Sequence, residues 1–168
     1  RENIIVLDES ANNQYRFGMP GSELSEEEWK ACINQVEKNE NVEFIVVSGS
    51  LPPGVPVGIY SLLAQIAHHK KAKLIVDTSG EALNEAIKQG VYLIKPNLGE
   101  LSRLADRSHI EIHEVEKIAR EIIAQGKCEV MVVSMGAAGA MLVTKTISAT
   151  FTPPQVVRKS TIGAGDSM

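Results

Sequence analysis

The chain is poor in the residues that mark several whole classes of protein. It has two cysteines, Cys32 and Cys128, far apart and in no C-x-x-C pair. That spacing excludes a zinc or dithiol signature and suits reduced, cytosolic thiols. Aromatics are only 4% of the residues, and the largest basic group is Lys70-Lys71-Ala72-Lys73 in a chain of formal net charge −4. A nucleic-acid binder that works by phosphate neutralisation is thereby excluded, and the lysine run reads as a solvated helix end. No apolar run reaches the length of a membrane span, and no signal-peptide pattern opens the chain. Neither G-x-x-x-x-G-K-[ST] nor G-x-G-x-x-G occurs, so the P-loop and the dinucleotide fingerprint are both missing. What is present is a 43% hydrophobic content in 168 residues, enough for one domain with a sizeable core.

The apolar pattern predicts an α/β fold. Ile4–Leu7 and Gln14–Phe17 flank a polar turn and read as a hairpin. Ser25 followed by Glu28 fits a capping box, and Trp29, Ile33 and Val36 recur at helical spacing to about residue 38. Strands and helices then alternate. Phe44–Val47 reads as a buried strand, Ile59–His69 as a helix, Leu74–Val76 as a strand and Glu81–Lys88 as a helix closed by Gly90. Tyr92–Ile94, Leu98–Ala105 and His113–Ala124 continue the series, and Val130–Val133 and Ala140–Val143 are two strands joined through Gly136 and Gly139. Alternation of this kind implies a mostly parallel sheet covered on both faces, with ligands at the carboxyl ends of its strands.

A polar signature follows each strand. Ser48-Gly49-Ser50-Leu51-Pro52-Pro53-Gly54 either holds a sugar hydroxyl or phosphate or is a stiff turn. Asp77-Thr78-Ser79-Gly80 reads as a cap for the helix after it. Lys95-Pro96-Asn97-Leu98-Gly99-Glu100 combines a cation, an amide and a carboxylate, the mixture a metal–nucleotide phosphate needs, while Asn97 and Glu100 also fit a helix cap. Gly136 and Gly139 either admit a nucleotide to the backbone or make a strand-to-strand turn. The histidines fall at helix ends, positions that suit solvent.

Thr161-Ile162-Gly163-Ala164-Gly165-Asp166-Ser167-Met168 is the most informative stretch. Its glycines let successive N–H groups point at one anionic oxygen, with Asp166 beside them as a candidate base; the alternative is a glycine turn in which Asp166 caps a helix.

Taken in order, Ser48–Gly54, Lys95-Pro96-Asn97 with Glu100, Val133-Ser134 with Gly136 and Gly139, and Thr161–Ser167 resemble the ribokinase-like family of carbohydrate kinases. Gln14–Gly21 and Ile75–Leu83 are most similar to its minor-type bacterial 6-phosphofructokinase branch. The resemblance implies a ribokinase-like sheet flanked by helices, with residues 1–20 part of a β lid and 21–168 part of the α/β body. It implies transfer of the γ-phosphoryl of MgATP to the C1 hydroxyl of fructose 6-phosphate, in a cytosolic homodimer paired through the lid. Asp166 is then the base and Gly163, Ala164 and Gly165 the anion hole. Lys95, Asn97, Ser134, Gly136, Gly139 and Thr161 match the nucleotide side, Glu100 the magnesium-linked carboxylate, and Arg1 and Ser50 the sugar phosphate. Alternatives are a tagatose-6-phosphate kinase, a 1-phosphofructokinase or a non-catalytic nucleotide-binding module, the last disfavoured by the presence of Asp166. Because the chain starts at Arg1 and stops at Met168, within the glycine motif, it is expected to be a piece of a longer protein, inactive alone and with sheet edges exposed.

Overall fold

The computed structural model describes residues 3–8, 10–11 and 13–154, without the side chains of Asn3 and Arg16. Strands β1 (Asn3–Asp8) and β2 (Asn13–Gly18) form an antiparallel hairpin with Asn3 opposite Gly18 and Asp8 opposite Asn13. The Asp8 carboxylate accepts hydrogen bonds from the Ser10 hydroxyl and from the Ser10 and Ala11 amides. This network holds its carboxyl below the usual range. Ile4, Ile5, Val6 and Leu7 are all exposed. Successive strand residues point to opposite faces, so both faces of the hairpin present apolar side chains.

Helix α1 (Glu26–Lys38) begins with the expected capping box: Ser25 accepts from the Glu28 amide, and the Glu28 carboxylate accepts from the Ser25 amide. There follow β3 (Phe44–Ser48), α2 (Ile59–Lys70), β4 (Lys73–Asp77), α3 (Gly80–Ile87), β5 (Val91–Ile94), α4 (Leu98–Leu104), α5 (Val115–Ala124), β6 (Cys128–Ser134), β7 (Ala140–Thr144) and β8 (Ser148–Phe151). A 3-10 turn, Ile112–Glu114, leads into α5, so that helix starts as a tighter coil than its apolar period predicts.

The second sheet has the order β3-β4-β5-β6-β7-β8, parallel through β6 and antiparallel thereafter. The fold is thus α/β, a mostly parallel sheet flanked by helices with a hairpin at the start. Its core is a row in strict register: Val47 opposes Val76, Val76 opposes Ile94, Ile94 opposes Met131 and Met131 opposes Val143. Against this row pack Leu63 and Ala67 of α2, Leu83 and Ala86 of α3, and Ile118 and Ile122 of α5. Their removal from water is the main source of stability.

Two expectations change. β3 is not a buried strand: Ile45 is buried, but Phe44 is 48% and Val46 64% exposed. Among the described residues it lies at the sheet's end and pairs with β4 alone, and its Phe44 and Val46 side chains leave the sheet uncovered there. β8 was not foreseen; it returns from β7 through a turn in which the Thr144 amide donates to the Ile147 carbonyl at 2.8 Å. The lysine run does end a helix, with Lys70 donating to the Glu37 and Asn39 carbonyls and Lys71 left-handed at the cap. No helix among the described residues is long and apolar enough to cross a membrane.

Candidate functional site

The polar signatures gather at the carboxyl ends of β3, β4, β5 and β6, since parallel neighbours end on the same edge. Ser48 and Asp77 are register partners. One residue on, Gly49 leaves the sheet with φ +93°, and its amide donates to the Asp77 carbonyl at 2.9 Å. A left-handed φ there favours glycine and turns the chain so that Ser50 is exposed. Farther along, the Leu24 amide donates to the Pro53 carbonyl at 2.9 Å and ties the loop to the segment before α1.

Beside this loop, Lys95 Nζ lies 3.3 Å from Asp77 Oδ2, with the two side chains 20% and 31% exposed. A partly exposed pair of this kind adds little to stability but restrains a long cationic side chain. Pro96 is buried, and its carbonyl accepts from the Ser134 amide at 2.9 Å. Asn97 pairs with Ser134 in a parallel bridge. Lys95, Asn97 and Ser134 therefore lie together on one edge.

Asn97 is the N-cap of α4: Oδ1 accepts from the Glu100 amide at 2.9 Å, and Glu100 Oε2 accepts from the Asn97 amide at 2.9 Å. The cap thus holds the Glu100 carboxylate at the helix start. Its hard oxygen donors fit magnesium, which takes one or two carboxylates and otherwise keeps water and phosphate oxygens. Among the described residues no three His, Cys, Asp or Glu side chains cluster as a metal cage.

The glycine turn after β6 is a 3-10 turn, Gly136–Ala138. The Met135 amide donates to the Gly139 carbonyl at 2.8 Å and the Gly139 amide to the Gly136 carbonyl at 3.0 Å. Those two amides are engaged within the turn and are not offered to a phosphate. A Cβ on Gly139 would fall 1.9 Å from the Phe151 carbonyl oxygen, which gives this glycine a packing role.

Asp77 and Thr78 are the residues that sequence reasoning misplaced, as parts of a helix cap. Ser79 holds the N-cap position of α3 and makes no side-chain cap bond. Asp77 instead pairs with Lys95, and the Thr78 hydroxyl donates to the Gly49 carbonyl at 2.8 Å. The usable signal was their place at the end of a parallel strand beside the first signature. Arg1, Thr161, Gly163, Ala164, Gly165 and Asp166 lie outside the described residues, and with them the expected base and anion hole. Glu100, Asn97, Lys95, Ser134 and Ser50 are all found at strand ends or the helix start beside them.

A cation, an amide and a carboxylate at the strand ends of an α/β sheet are a donor set that suits a phosphate group. The pattern of the pfkB family carbohydrate kinases matches residues 2–168, and the chain belongs to that family. It is 43% identical over 169 residues to the ATP-dependent 6-phosphofructokinase isozyme 2 of Escherichia coli (strain K12), covering 100% of this chain and 55% of that protein. It is 30% identical to the 1-phosphofructokinase of Bacillus subtilis (strain 168), over 88% of this chain and 48% of that one. The crystal structure of phosphofructokinase-2 from Escherichia coli in complex with substrates and products superposes with a TM-score of 0.92 at 41% identity, over 99% of this chain and 55% of that one. The chain therefore spans about half the length of the relatives it matches.

Proposed function

We propose that the chain is part of a sugar-phosphate kinase that transfers the γ-phosphoryl of ATP to the C1 hydroxyl of fructose 6-phosphate. The observation that carries this reading is the convergence of Lys95, Asn97 and Ser134 on one sheet edge, linked through Asp77 to the Ser50 loop. Phosphoryl transfer asks a protein for positioning and charge neutralisation more than for covalent chemistry, and this edge provides both.

In this reading the Lys95 ammonium neutralises phosphate oxygens, Asn97 and Ser134 border the nucleotide with Gly136, Gly139 and Thr161, and Glu100 would hold magnesium through water. Magnesium, when bound, would supply positive charge against the nucleotide phosphates. Ser50 and Arg1 hold the sugar phosphate, Arg1 by its planar fork. Asp166 takes the proton from the C1 hydroxyl as that oxygen attacks, and the Gly163, Ala164 and Gly165 amides receive the developing charge. Residues 1–20 belong to a lid and 21–168 to the kinase body. The apolar hairpin faces suit a homodimer, and the protein works in the cytosol.

A coupled ADP-release assay on the full-length protein with MgATP, comparing fructose 6-phosphate, tagatose 6-phosphate and fructose 1-phosphate, tests the reading. Preference for fructose 6-phosphate is expected. The likeness to a 1-phosphofructokinase favours fructose 1-phosphate as the second candidate, and preference for it would change the acceptor while keeping the mechanism. Asp166→Asn should lower turnover about 10²- to 10⁴-fold with little effect on ATP binding, the usual weight of a positioned base. Unchanged turnover would remove Asp166 from that role.

A further inference from the structure

Thr78 and Ser102 are the buried polar side chains among the described residues. The Ser102 hydroxyl donates to the Gly99 carbonyl within its own helix, an ordinary local bond. Thr78 is different, because its bonds join three separate elements. Its hydroxyl donates to the Gly49 carbonyl at 2.8 Å and accepts from the Tyr60 hydroxyl at 3.1 Å. Tyr60 belongs to the first turn of α2 and is 1% exposed, fixed in the core.

Gly49 is consequently held at both of its backbone polar groups. Its amide donates to the Asp77 carbonyl and its carbonyl accepts from Thr78, so consecutive residues of one strand end clamp the two peptide units on either side of one residue. The next residue is Ser50, and with φ of Gly49 at +93° the direction in which Ser50 leaves the sheet depends on that clamp. A hydroxyl is required at 78 for this arrangement. Valine has nearly the same shape but would leave the Gly49 carbonyl and the Tyr60 hydroxyl without their partner. Gly49 itself is exposed, so water is able to replace the lost bond there. The loop would then shift while the fold persists.

We infer that Thr78 and Tyr60 are positioning residues for the Ser48–Gly54 loop, and that through it they set where Ser50 meets the sugar phosphate. The inference rests on the kinase reading for its functional half. Its geometric half, a Tyr60–Thr78–Gly49 chain of hydrogen bonds, stands independently.

The test uses Tyr60→Phe, Thr78→Val and Thr78→Ser in the full-length protein. Tyr60→Phe and Thr78→Val should raise KM for the preferred sugar phosphate about 3- to 10-fold, the factor that corresponds to one net hydrogen bond. KM for ATP should stay within about twofold, since the nucleotide side does not pass through Thr78. Thr78→Ser keeps the hydroxyl and should restore the wild-type KM. A purely structural role would instead move both KM values together, and that result would overturn the inference.

Amide hydrogen exchange at residues 49–51 supplies a second readout that needs no substrate. Exchange should quicken in Tyr60→Phe and Thr78→Val and return to normal in Thr78→Ser. Should the wild-type protein phosphorylate none of the sugar phosphates, the kinase reading falls while the exchange data still decide the clamp. Unchanged exchange in both variants would refute the clamp whatever the substrate.

Discussion

Replacing Gly139 by alanine should be far more damaging than the same change three residues earlier. Gly139 has φ +92° and ψ −138°, outside the left-handed well that other residues occasionally occupy. A Cβ built there lies 1.9 Å from the Phe151 carbonyl oxygen and 2.9 Å from Pro153 Cδ. The Phe151 oxygen is backbone of β8, and Phe151 is the register partner of Ala140, so relief demands that β7 and β8 part at this end. Gly136 is the internal control: its φ is +61°, but a Cβ there meets nothing within 4 Å. Alanine at Gly136 should cost about 1 kcal/mol for the left-handed backbone alone. At Gly139 the glycine-only conformation costs about 1–3 kcal/mol, and loss of one ladder hydrogen bond adds about 1 kcal/mol, so about 2–4 kcal/mol is expected. Urea unfolding of the full-length variants, compared at a common m-value, measures the difference. Because the turn adjoins Ser134, the Gly139→Ala protein should also bind ATP less well. Equal destabilisation by the two substitutions would refute the argument that the glycine-only backbone and the close approach to β8 together select glycine at 139.

Asp77→Asn removes the counter-charge of Lys95 while keeping the side-chain shape. KM for ATP should rise about 2- to 5-fold with a loss of unfolding free energy below about 1 kcal/mol, as befits a partly exposed pair; an unchanged or lower KM would show that Asp77 does not orient the lysine. Burial pushes the Cys128 thiol from its ordinary 9.0 up to about 12, whereas Cys32 is exposed. A thiol reagent at pH 8 should therefore label the peptide carrying Cys32 and spare the one carrying Cys128 until the protein unfolds. The sign of the pH effect follows: the unfolded thiol releases its proton near 9 and the folded one near 12, so this group's contribution is complete below pH 9 and declines as pH rises towards 12. Equal labelling of both cysteines in the native protein would contradict that burial.

Where local rules decide structure, the sequence was legible. The capping boxes at Ser25/Glu28 and Asn97/Glu100 depend on residues three apart, and both form as their spacing implies. The period of α5 was equally clear, because Val115, Ile118, Ala119, Ile122 and Ile123 lie on one face. Position within the sheet was not legible. Phe44-Ile45-Val46-Val47 is apolar throughout, the mark of a strand buried on both faces, yet only the order of strands reveals that β3 lies at an edge. β8 escaped because Ser148-Ala149-Thr150-Phe151 is short and mostly polar, and what holds it is pairing with β7.

The candidate site divides along the same line. Lys95, Asn97 and Glu100 fall within one short motif, so their chemistry is visible without the fold. Asp77 and Thr78 act across elements, and a local rule assigned them to the helix that follows. In a parallel sheet ordered β3-β4-β5, the end of β4 lies between the ends of its neighbours. A residue there has the Ser50 loop on one side and the Lys95 loop on the other. Asp77 uses both sides, its carbonyl accepting from Gly49 and its carboxylate meeting Lys95, while Thr78 adds a second bond to Gly49. The Ser50 loop and the Lys95 loop, the sugar side and the nucleotide side in the proposed reading, are thereby held from a common strand end. Small errors in their separation are what phosphoryl transfer tolerates least, since its rate depends on attacking and leaving oxygens lying in line. If the proposed reading holds, a strand end that grips both loops limits that error.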